Sequence, residues 1–211
     1  MALTKVRGKG LGTLGDGTAS DTAIVFDGNA QDFHIGLDDS TDSLTIGLGS
    51  TLGTTSHMVF DANGIITKPL QPAFLANPAS AQNNVPINAV TDVVFGTERF
   101  DQNGDFASNT FTAPVTGRYQ LNTTIYVQNL DAANNYFDIK LTTSNFNYFH
   151  TIDPASYEAG GADAPFYTAT IAVLADMDAG DTAKVQIGIP NNGTAQCDIQ
   201  TGSTFSGYLV A

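Results

Sequence analysis

The feature that most constrains the fold is the segment at residues 110–127, TFTAPVTGRYQLNTTIYV, in which apolar and polar side chains alternate after a turn at Pro114 and Gly117. Alternation with a period of two residues is typical of a strand that places one face against a core. From Tyr119 onward the two faces are Leu121, Thr123, Ile125 and Val127 on one side, and Gln120, Asn122, Thr124 and Gln128 on the other. The segment therefore predicts a long, half-buried β-strand.

The rest of the chain also favours strands over helices. No stretch shows helical periodicity of its apolar residues over ten positions, and 21 glycines, with frequent Thr, Asn and Asp, interrupt the helix-forming residues. Three prolines in KPLQPAFLANP, residues 68–78, predict an extended linker. We therefore predict an all-β protein with two regions, residues 1–70 and residues 71–211.

Residues 1–70 carry short repeated strands. The sequence FHIGLD at 33–38 is echoed by LTIGLG at 44–49, and AIVFDGN at 23–29 is echoed by HMVFDANG at 57–64. One copy of this region has too few large apolar side chains for a core of its own. The missing partners can come from the C-terminal region of the same chain, or from the same strands of other copies wound about a common axis.

Residues 71–211 have longer and more aromatic strands, a pattern that predicts a β-sandwich or barrel. Strands are expected near residues 72–76, 86–100, 106–112, 117–129, 135–143, 165–175, 182–190, 195–200 and 203–210. The expected core is Phe95, Phe106, Phe111, Tyr119, Leu121, Ile125, Ile139, Leu141, Ile171, Val173, Val185, Ile187, Phe205 and Leu209. Turns are expected at residues 102–105, 114–117, 178–181 and 190–193, which are rich in Gly, Asn, Asp and Pro.

Charge and cysteine content narrow the classes of function. The formal net charge of −13, with only eight Lys and Arg residues, disfavours phosphate backbones and predicts no nucleic-acid partner. The single cysteine, Cys197, excludes an intrachain disulfide and is expected to be a small buried thiol. The opening MALTKVRGKG has no apolar signal-peptide core, and no run reaches membrane-spanning length. We expect a chain made in a cytoplasm, with no ordinary signal peptide and no membrane insertion.

Four short motifs follow one another along the C-terminal region. They are Phe95-Gly-Thr-Glu-Arg-Phe100-Asp101, Phe111-Thr-Ala-Pro114-Val-Thr-Gly117-Arg-Tyr119, Ala179-Gly180-Asp181-Thr-Ala-Lys-Val185 and the terminal Phe205-Ser-Gly207-Tyr208-Leu209-Val210. Over residues 72–211 the chain resembles the globular-head family of complement component C1q, which shares its jelly roll with tumour necrosis factor. Leu121 and Thr123 stand where that family usually has aromatic residues. The resemblance implies a ten-stranded jelly-roll sandwich that assembles as a homotrimer, usually on a fibrous stem, and serves as a recognition head rather than an enzyme.

The N-terminal region adds a second resemblance. FDGNAQDFHIGLDDSTDSLTIGLGSTLG, residues 26–53, resembles stem modules of tail-fibre proteins from marine bacteriophages, and it lacks the glycine at every third position of a collagen stem. This combination predicts a virion protein released by host lysis, although a bacterial protein secreted by another route would look similar.

The expected function is a trimeric phage fibre or appendage whose head binds a host-surface glycan or protein by multivalent adsorption. The N-terminal region would contact other virion proteins, through the charges of Lys5, Arg7 and Lys9, unless that terminus is untethered. Two alternatives remain open: a structural or decoration protein of the virion with no external ligand, and a hydrolase of surface polysaccharide.

Candidate ligand-binding residues lie in the stretch SNFNYFHTIDPASYEAGGADAPFY, residues 144–167, which is expected to be rich in loops. Aromatic rings beside amide side chains are typical of binding surfaces. The candidates are Asn145, Asn147, Tyr148, His150 and Tyr157. The alternative is that Phe146, Tyr148 and Phe149 pack into the core or between subunits.

No catalytic residue is predicted, because His34, His57 and His150 are isolated and none of the motifs H-E-x-x-H, G-x-S-x-G or C-x-x-C occurs. No cofactor is expected, and the one candidate ion is calcium, which trimeric heads of the resembled family sometimes hold near their axis. Its ligands could come from residues 38, 39 and 42 or from 176, 178 and 181, all aspartates, with solvated turns as the alternative. Residues 101–105 begin like a calcium loop but lack its Glu, so we expect a hairpin turn there.

Overall fold

The structure of the chain is a computed structural model that describes residues 14–157, 162–189 and 196–211. It divides into two units, residues 1–70 and residues 71–211, called unit 1 and unit 2 below. The expected turn at 190–193 and the basic residues Lys5, Arg7 and Lys9 lie outside the described residues. A single turn of 3₁₀ helix, Pro154–Ser156, is the one helical element of the described ranges, and none of their helices is long and apolar enough to cross a membrane.

Unit 1 is one antiparallel sheet of five strands in the order β1-β2-β3-β4-β5. The strands are β1 Thr22–Phe26, β2 Phe33–Asp38, β3 Ser43–Leu48, β4 Ser56–Phe60 and β5 Ile66–Thr67. The repeated sequence segments are therefore strands. Turn chemistry closes the hairpins: between β4 and β5, the Asp61 carboxylate accepts the amides of Asn63 and Ile65, and Gly64 has a φ of 82°.

Directly opposed apolar side chains form continuous rows across this sheet, because the strand registers align them. We call this surface the apolar face of unit 1. Its rows are Ile24, Ile35, Ile46 and Met58; Leu37, Leu44, Phe60 and Ile66; and Phe26, Phe33 and Leu48.

Unit 2 is a sandwich of two antiparallel sheets. Sheet I has the order β10-β11-β16-β13-β14, with β8 also pairing with β16. Sheet II has the order β7-β17-β12-β18-β6-β9, with β15 also pairing with β12. The strands are β6 Ala73–Asn77, β7 Gln82–Val85, β8 Ala89–Asp92, β9 Thr97–Asp101, β10 Phe106–Ala107, β11 Thr110–Thr112, β12 Gly117–Leu130, β13 Phe137–Thr143, β14 Asn147–Ile152, β15 Ala164–Met177, β16 Thr182–Ile189, β17 Cys197–Ile199 and β18 Thr204–Leu209.

The alternating residues 117–127 belong to β12, which with β15 is the longest strand of sheet II. Its alternation is confirmed: Tyr119, Leu121, Thr123, Ile125 and Val127 are at most 1% exposed, whereas Gln120, Asn122, Thr124 and Gln128 lie on the outer face. The turn before it is fixed from inside the sandwich, since the Tyr119 hydroxyl donates a hydrogen bond to the Val115 carbonyl at 2.7 Å.

The core lies between the two sheets and matches the predicted list closely. Every predicted core residue is buried except Val173 and Leu209, which are partly buried and pack against the core. At one end of the sandwich, Phe74 stacks on Phe106 and Phe111 with ring centroids 4.9 Å apart, and it meets Phe205 edge-on at 5.0 Å. The rings from four strands thereby tie both sheets together.

Two of the nine strands expected in residues 71–211 are divided and two strands, β7 and β14, were not expected, so unit 2 has thirteen strand segments among its described residues. Residues 86–100 were expected to form one strand. They instead contribute β8 to sheet I and β9 to sheet II, because the chain crosses between the sheets at residues 93–96. Residues 106–112 bend at Ser108 and Asn109, which both have positive φ angles, and so form the β10-β11 hairpin.

Candidate ligand-binding surface of the head

The stretch at 144–167 is more regular than predicted. Expected to be loop-rich, it contains β14, which pairs along its whole length with β13, from Phe137 opposite Ile152 to Thr142 opposite Asn147. The strand itself has favourable residues, since Tyr148, Phe149 and Ile152 are typical of strands. The prediction missed it because the residues on either side, SN at 144–145 and DP at 153–154, are typical of turns. The remainder of the stretch is the 3₁₀ turn, the start of β15, and residues 158–161, which lie outside the described ranges.

The strand geometry separates the candidate residues onto two faces. Tyr148 and His150 are half-buried and point toward the sandwich, whereas Asn147 and Phe149 are exposed on the outside. Part of the alternative interpretation is thus correct, because Tyr148 packs against the core. Phe149 does not: it is 54% exposed, and the Lys140 ammonium lies 5.4 Å from its ring centroid.

His150, Tyr157 and Tyr167 form a polar aromatic cluster. His150 Nε2 lies 2.9 Å from the Tyr167 hydroxyl, and the rings of Tyr157 and Tyr167 meet edge-on with centroids 5.1 Å apart. Burial, followed by the neighbouring Tyr157 hydroxyl, raises the pKa of Tyr167 above its ordinary value of 10.0. The Tyr167 hydroxyl is in hydrogen-bond contact with His150 and can hold its ring in place.

The position of Tyr157 follows from local sequence. Asp153 precedes Pro154 at the start of the 3₁₀ turn, and the Asp153 carboxylate accepts the Ala155 amide at 3.0 Å. An aspartate cap before proline is a favoured start for such a turn. The turn ends at Tyr157, which is 53% exposed.

An open groove runs between the neighbouring edge strands β14 and β15. Its volume is about 520 Å³. It is lined by Phe146, Asn147, Tyr148, Phe149 and His150 from one side and by residues 170–173 from the other. Three of the five candidates, Asn147, Tyr148 and His150, line this groove, and Tyr157 is linked to it through Tyr167.

Asn145 is the candidate that the structure separates from the others. Its side-chain amide donates to the Asp181 carboxylate at 2.7 Å and to the Asp176 carbonyl at 3.2 Å. These contacts bind the β13-β14 turn to the turn after β15. Asn145 is exposed, but its amide donors are already used within the chain.

A second concavity, on the outer face of sheet I, was not found from the sequence. Its volume is about 290 Å³, and Tyr136, Asp138, Lys140 and Gly188 lie around it. Asp138 is 8% exposed and accepts a hydrogen bond from the Thr151 hydroxyl at 2.5 Å. A Cβ at position 188 would stand 3.4 Å from Lys140, so the glycine leaves the floor open. The site depends on the registers of β8, β13 and β16, which no local sequence signal specifies.

The aspartate groups suggested for calcium hold their own turns. The Asp38 carboxylate accepts from the amide and hydroxyl of Ser40, and the Asp181 carboxylate accepts from the Asp178 amide and from Asn145. Residues 101–105 form a turn in which the Asp101 carboxylate accepts the amides of Asp105 and Phe106. The expected hairpin is wrong, because this turn connects β9 of sheet II with β10 of sheet I and the two strands do not pair. Within residues 14–157, 162–189 and 196–211, no group of three or more His, Cys, Asp or Glu is placed to hold a metal ion.

Residues 73–210 match the C1q domain. The chain belongs to the C1q domain family. C1q-like and TNF-like domains are generally trimeric ligand-binding heads, and members of the family are binding proteins rather than enzymes. Unit 2 is accordingly a jelly-roll head of this class.

Two solved structures are similar to part of the chain. The globular domain of zebrafish complement 1qA is similar with a TM-score of 0.48 and 15% identity, over 67% of this chain and 98% of that chain. Murine APRIL, in a crystal structure at pH 8.0, is similar with a TM-score of 0.47 and 10% identity, over 66% of this chain and 99% of that chain. No curated protein matches the chain in sequence.

Proposed function

We propose that the protein is the subunit of a homotrimeric bacteriophage fibre or appendage whose C1q head binds a glycan or protein on the host surface. The observation that carries the proposal is the membership of residues 73–210 in a family of generally trimeric ligand-binding heads. Unit 1, with its phage-stem-like repeats, is the part that contacts other virion proteins, and the virion is the site of action. No cofactor takes part, and a calcium ion at the trimer axis is the one addition that the family makes reasonable.

The outer face of sheet II supports assembly of the head. Leu174, Gln120 and Tyr208 lie in one row across three adjacent strands, and the two apolar members are 54% and 50% exposed. Phe100, on the edge strand β9 of the same sheet, is 51% exposed. Large exposed side chains interspersed with amides are typical of subunit contacts.

The groove between β14 and β15 supports ligand binding. Asn147 and Phe149 offer an amide and an exposed ring, while His150 and Tyr157 add polar groups that Tyr167 orients. Rigid rings beside adaptable amides suit the apolar faces and hydroxyl groups of a surface glycan or the side chains of a receptor protein. Three such sites on one head raise avidity without strong individual contacts.

The proposal is tested by binding of the purified full-length chain to host cells and to immobilised surface glycans. Phe149→Ala and Tyr157→Ala should each weaken monovalent affinity roughly tenfold or more, as for central residues of binding surfaces. Val115→Ala, which truncates an exposed apolar side chain in the turn before β12, should leave binding unchanged.

Other results would redirect or refute the assignment. Weakening by Tyr136→Ala alone would move the ligand to the concavity on sheet I. A structural or decoration protein would show no saturable binding to host cells, and a hydrolase would shorten surface polysaccharide during the assay. A solution mass near that of one 22.1 kDa chain, rather than three, would contradict the trimer.

A further inference from the structure

In unit 1 the large apolar side chains are mostly exposed, which is the reverse of what is expected for a sheet that is stable by itself. Leu52, at 8% exposure, is the one large apolar side chain that is buried among residues 14–70, and no residue of this range belongs to the core cluster. Over the same residues, Ile24, Phe26, Leu37 and Ile66 are between 46% and 59% exposed. An independently stable domain buries such side chains.

The opposite face of the sheet is polar and covered. His34, Asp38, Ser43 and Thr45 are all at most 5% exposed. The segment at residues 49–55 folds over them: the His34 Nδ1 lies 2.9 Å from the Gly49 carbonyl, and Leu52 is inserted on this side. His34 Nε2 has no hydrogen-bond partner among the described residues, so even the covered face is not an apolar core.

The apolar face has the composition of a core layer. Its three rows contain only Ile, Leu, Met and Phe, with no charged or amide side chain among them. It is not flat: a depression of about 470 Å³ has Ile24, Ile35, Leu37 and Leu44 of this face on one side, and its rim is completed by Leu14, by small and polar residues between 15 and 22, and by Asp39. The surface therefore offers both protruding side chains and space to receive them.

We propose that the apolar face of unit 1 is covered by the same face of two further copies of this chain, so that three sheets enclose one apolar interior. The inference rests on the proposed homotrimer. Each unit 1 is joined covalently to its own head, and a trimeric head would hold three such sheets at an effective concentration in about the millimolar range. Closed threefold symmetry then satisfies three identical faces without leaving one unpaired.

The width of the sheet fits this arrangement. Five strands span four inter-strand spacings, or about 19 Å, so the centre of a triangle with such sides lies about 5–6 Å from each side. That distance is close to half of the roughly 10 Å that separates packed sheets. The large side chains of the three rows are thus long enough to fill the interior.

The test combines a solution mass with hydrogen exchange of the full chain. The wild type should be a trimer in which the amides shared by β2 and β3 are protected. Ile35→Lys places a charge in the middle row and should speed their exchange roughly ten- to a hundredfold, with exchange in the head unchanged. Val25→Lys adds the same charge on the neighbouring strand, on the opposite face and at a 41% exposed position, and should have little effect.

The possible results of this test distinguish failure of the inference from failure of the proposed homotrimer. A trimer whose β2-β3 amides exchange as freely in the wild type as in Ile35→Lys would overturn the inference while leaving the trimer standing. A monomer with these amides protected would refute both the inference and the proposed homotrimer. If Ile35→Lys is not recovered, Ile35→Thr keeps the β-branched shape and should produce a smaller change in the same direction.

Discussion

Gly207, in the terminal motif of the C1q head, gives a prediction that depends directly on core packing. Gly207 lies on β18 opposite Leu121 of β12 and Phe74 of β6. A Cβ built at this position would stand 2.6 Å from a Leu121 methyl, 2.8 Å from the Phe74 ring and 3.2 Å from the Gln120 carbonyl. The first two distances are shorter than carbon atoms tolerate, and both neighbours are fully buried, so they cannot turn toward solvent.

Gly207→Ala should therefore act as an overpacking substitution and destabilise the head by about 1–3 kcal/mol. For a chain of this size, that corresponds to a fall in melting temperature of roughly 2–12 °C. The measurement is thermal unfolding followed by circular dichroism, at one fixed protein concentration because the proposed trimer would make stability depend on concentration.

Gly188→Ala is the matched control for this prediction. Gly188 also lies in a strand, but its added Cβ would meet only the flexible end of Lys140 at 3.4 Å and the Asp138 Cβ at 3.5 Å. Its melting temperature should change little, or rise slightly because alanine restricts the unfolded chain. An unchanged melting temperature for Gly207→Ala would show that Phe74 and Leu121 do not close around position 207, and the assigned register of β6, β18 and β12 would be wrong.

Three further predictions follow from individual contacts. Leu174→Glu, on the outer face of sheet II, should convert the trimer to a monomer in a solution mass measurement. The control Val115→Glu, in the turn before β12, should leave the mass unchanged. If the Leu174→Glu variant is still a trimer, this face is not part of the subunit interface. Burial, and then the adjacent Asp101 carboxylate, raises the pKa of Asp105 above its ordinary 3.8. The charged carboxylate therefore destabilises the folded state, and this destabilisation disappears as the pH falls through the raised pKa. Asp105→Asn should consequently raise the urea midpoint at pH 7 and give no advantage below about pH 3.8, and an equal gain at both pH values would contradict this cause. Burial, and then the Asp198 charge, raises the pKa of Cys197 to about 12, so a thiol reagent at pH 8 should label Cys197 only after unfolding; rapid labelling of the native chain would disprove its burial.

Some elements of the fold could be predicted from the sequence and others could not, and this difference has a physical cause. The β12 alternation was predicted correctly because a strand at the centre of a sheet buries one face along its whole length. β14 was missed because it is only six residues long and turn-forming residues flank it, so its pairing with β13 is visible only in the fold. The residues of the groove between β14 and β15 were likewise predicted only in part. Asn147, Tyr148 and His150 were identified by composition, whereas the separation of Asn145 and the involvement of Tyr167 depend on turns and strands that sequence reasoning did not position.

By itself, the sequence of this protein determined the all-β class, the buried alternation of the head and the lack of a core in residues 1–70, because each depends on the local spacing and number of apolar side chains. Only the tertiary structure decided which face of unit 1 is apolar and uncovered, and which residues surround the two concavities of the head. These features arise from strand register, since a shift by a single residue would move every side chain of a strand to the other face.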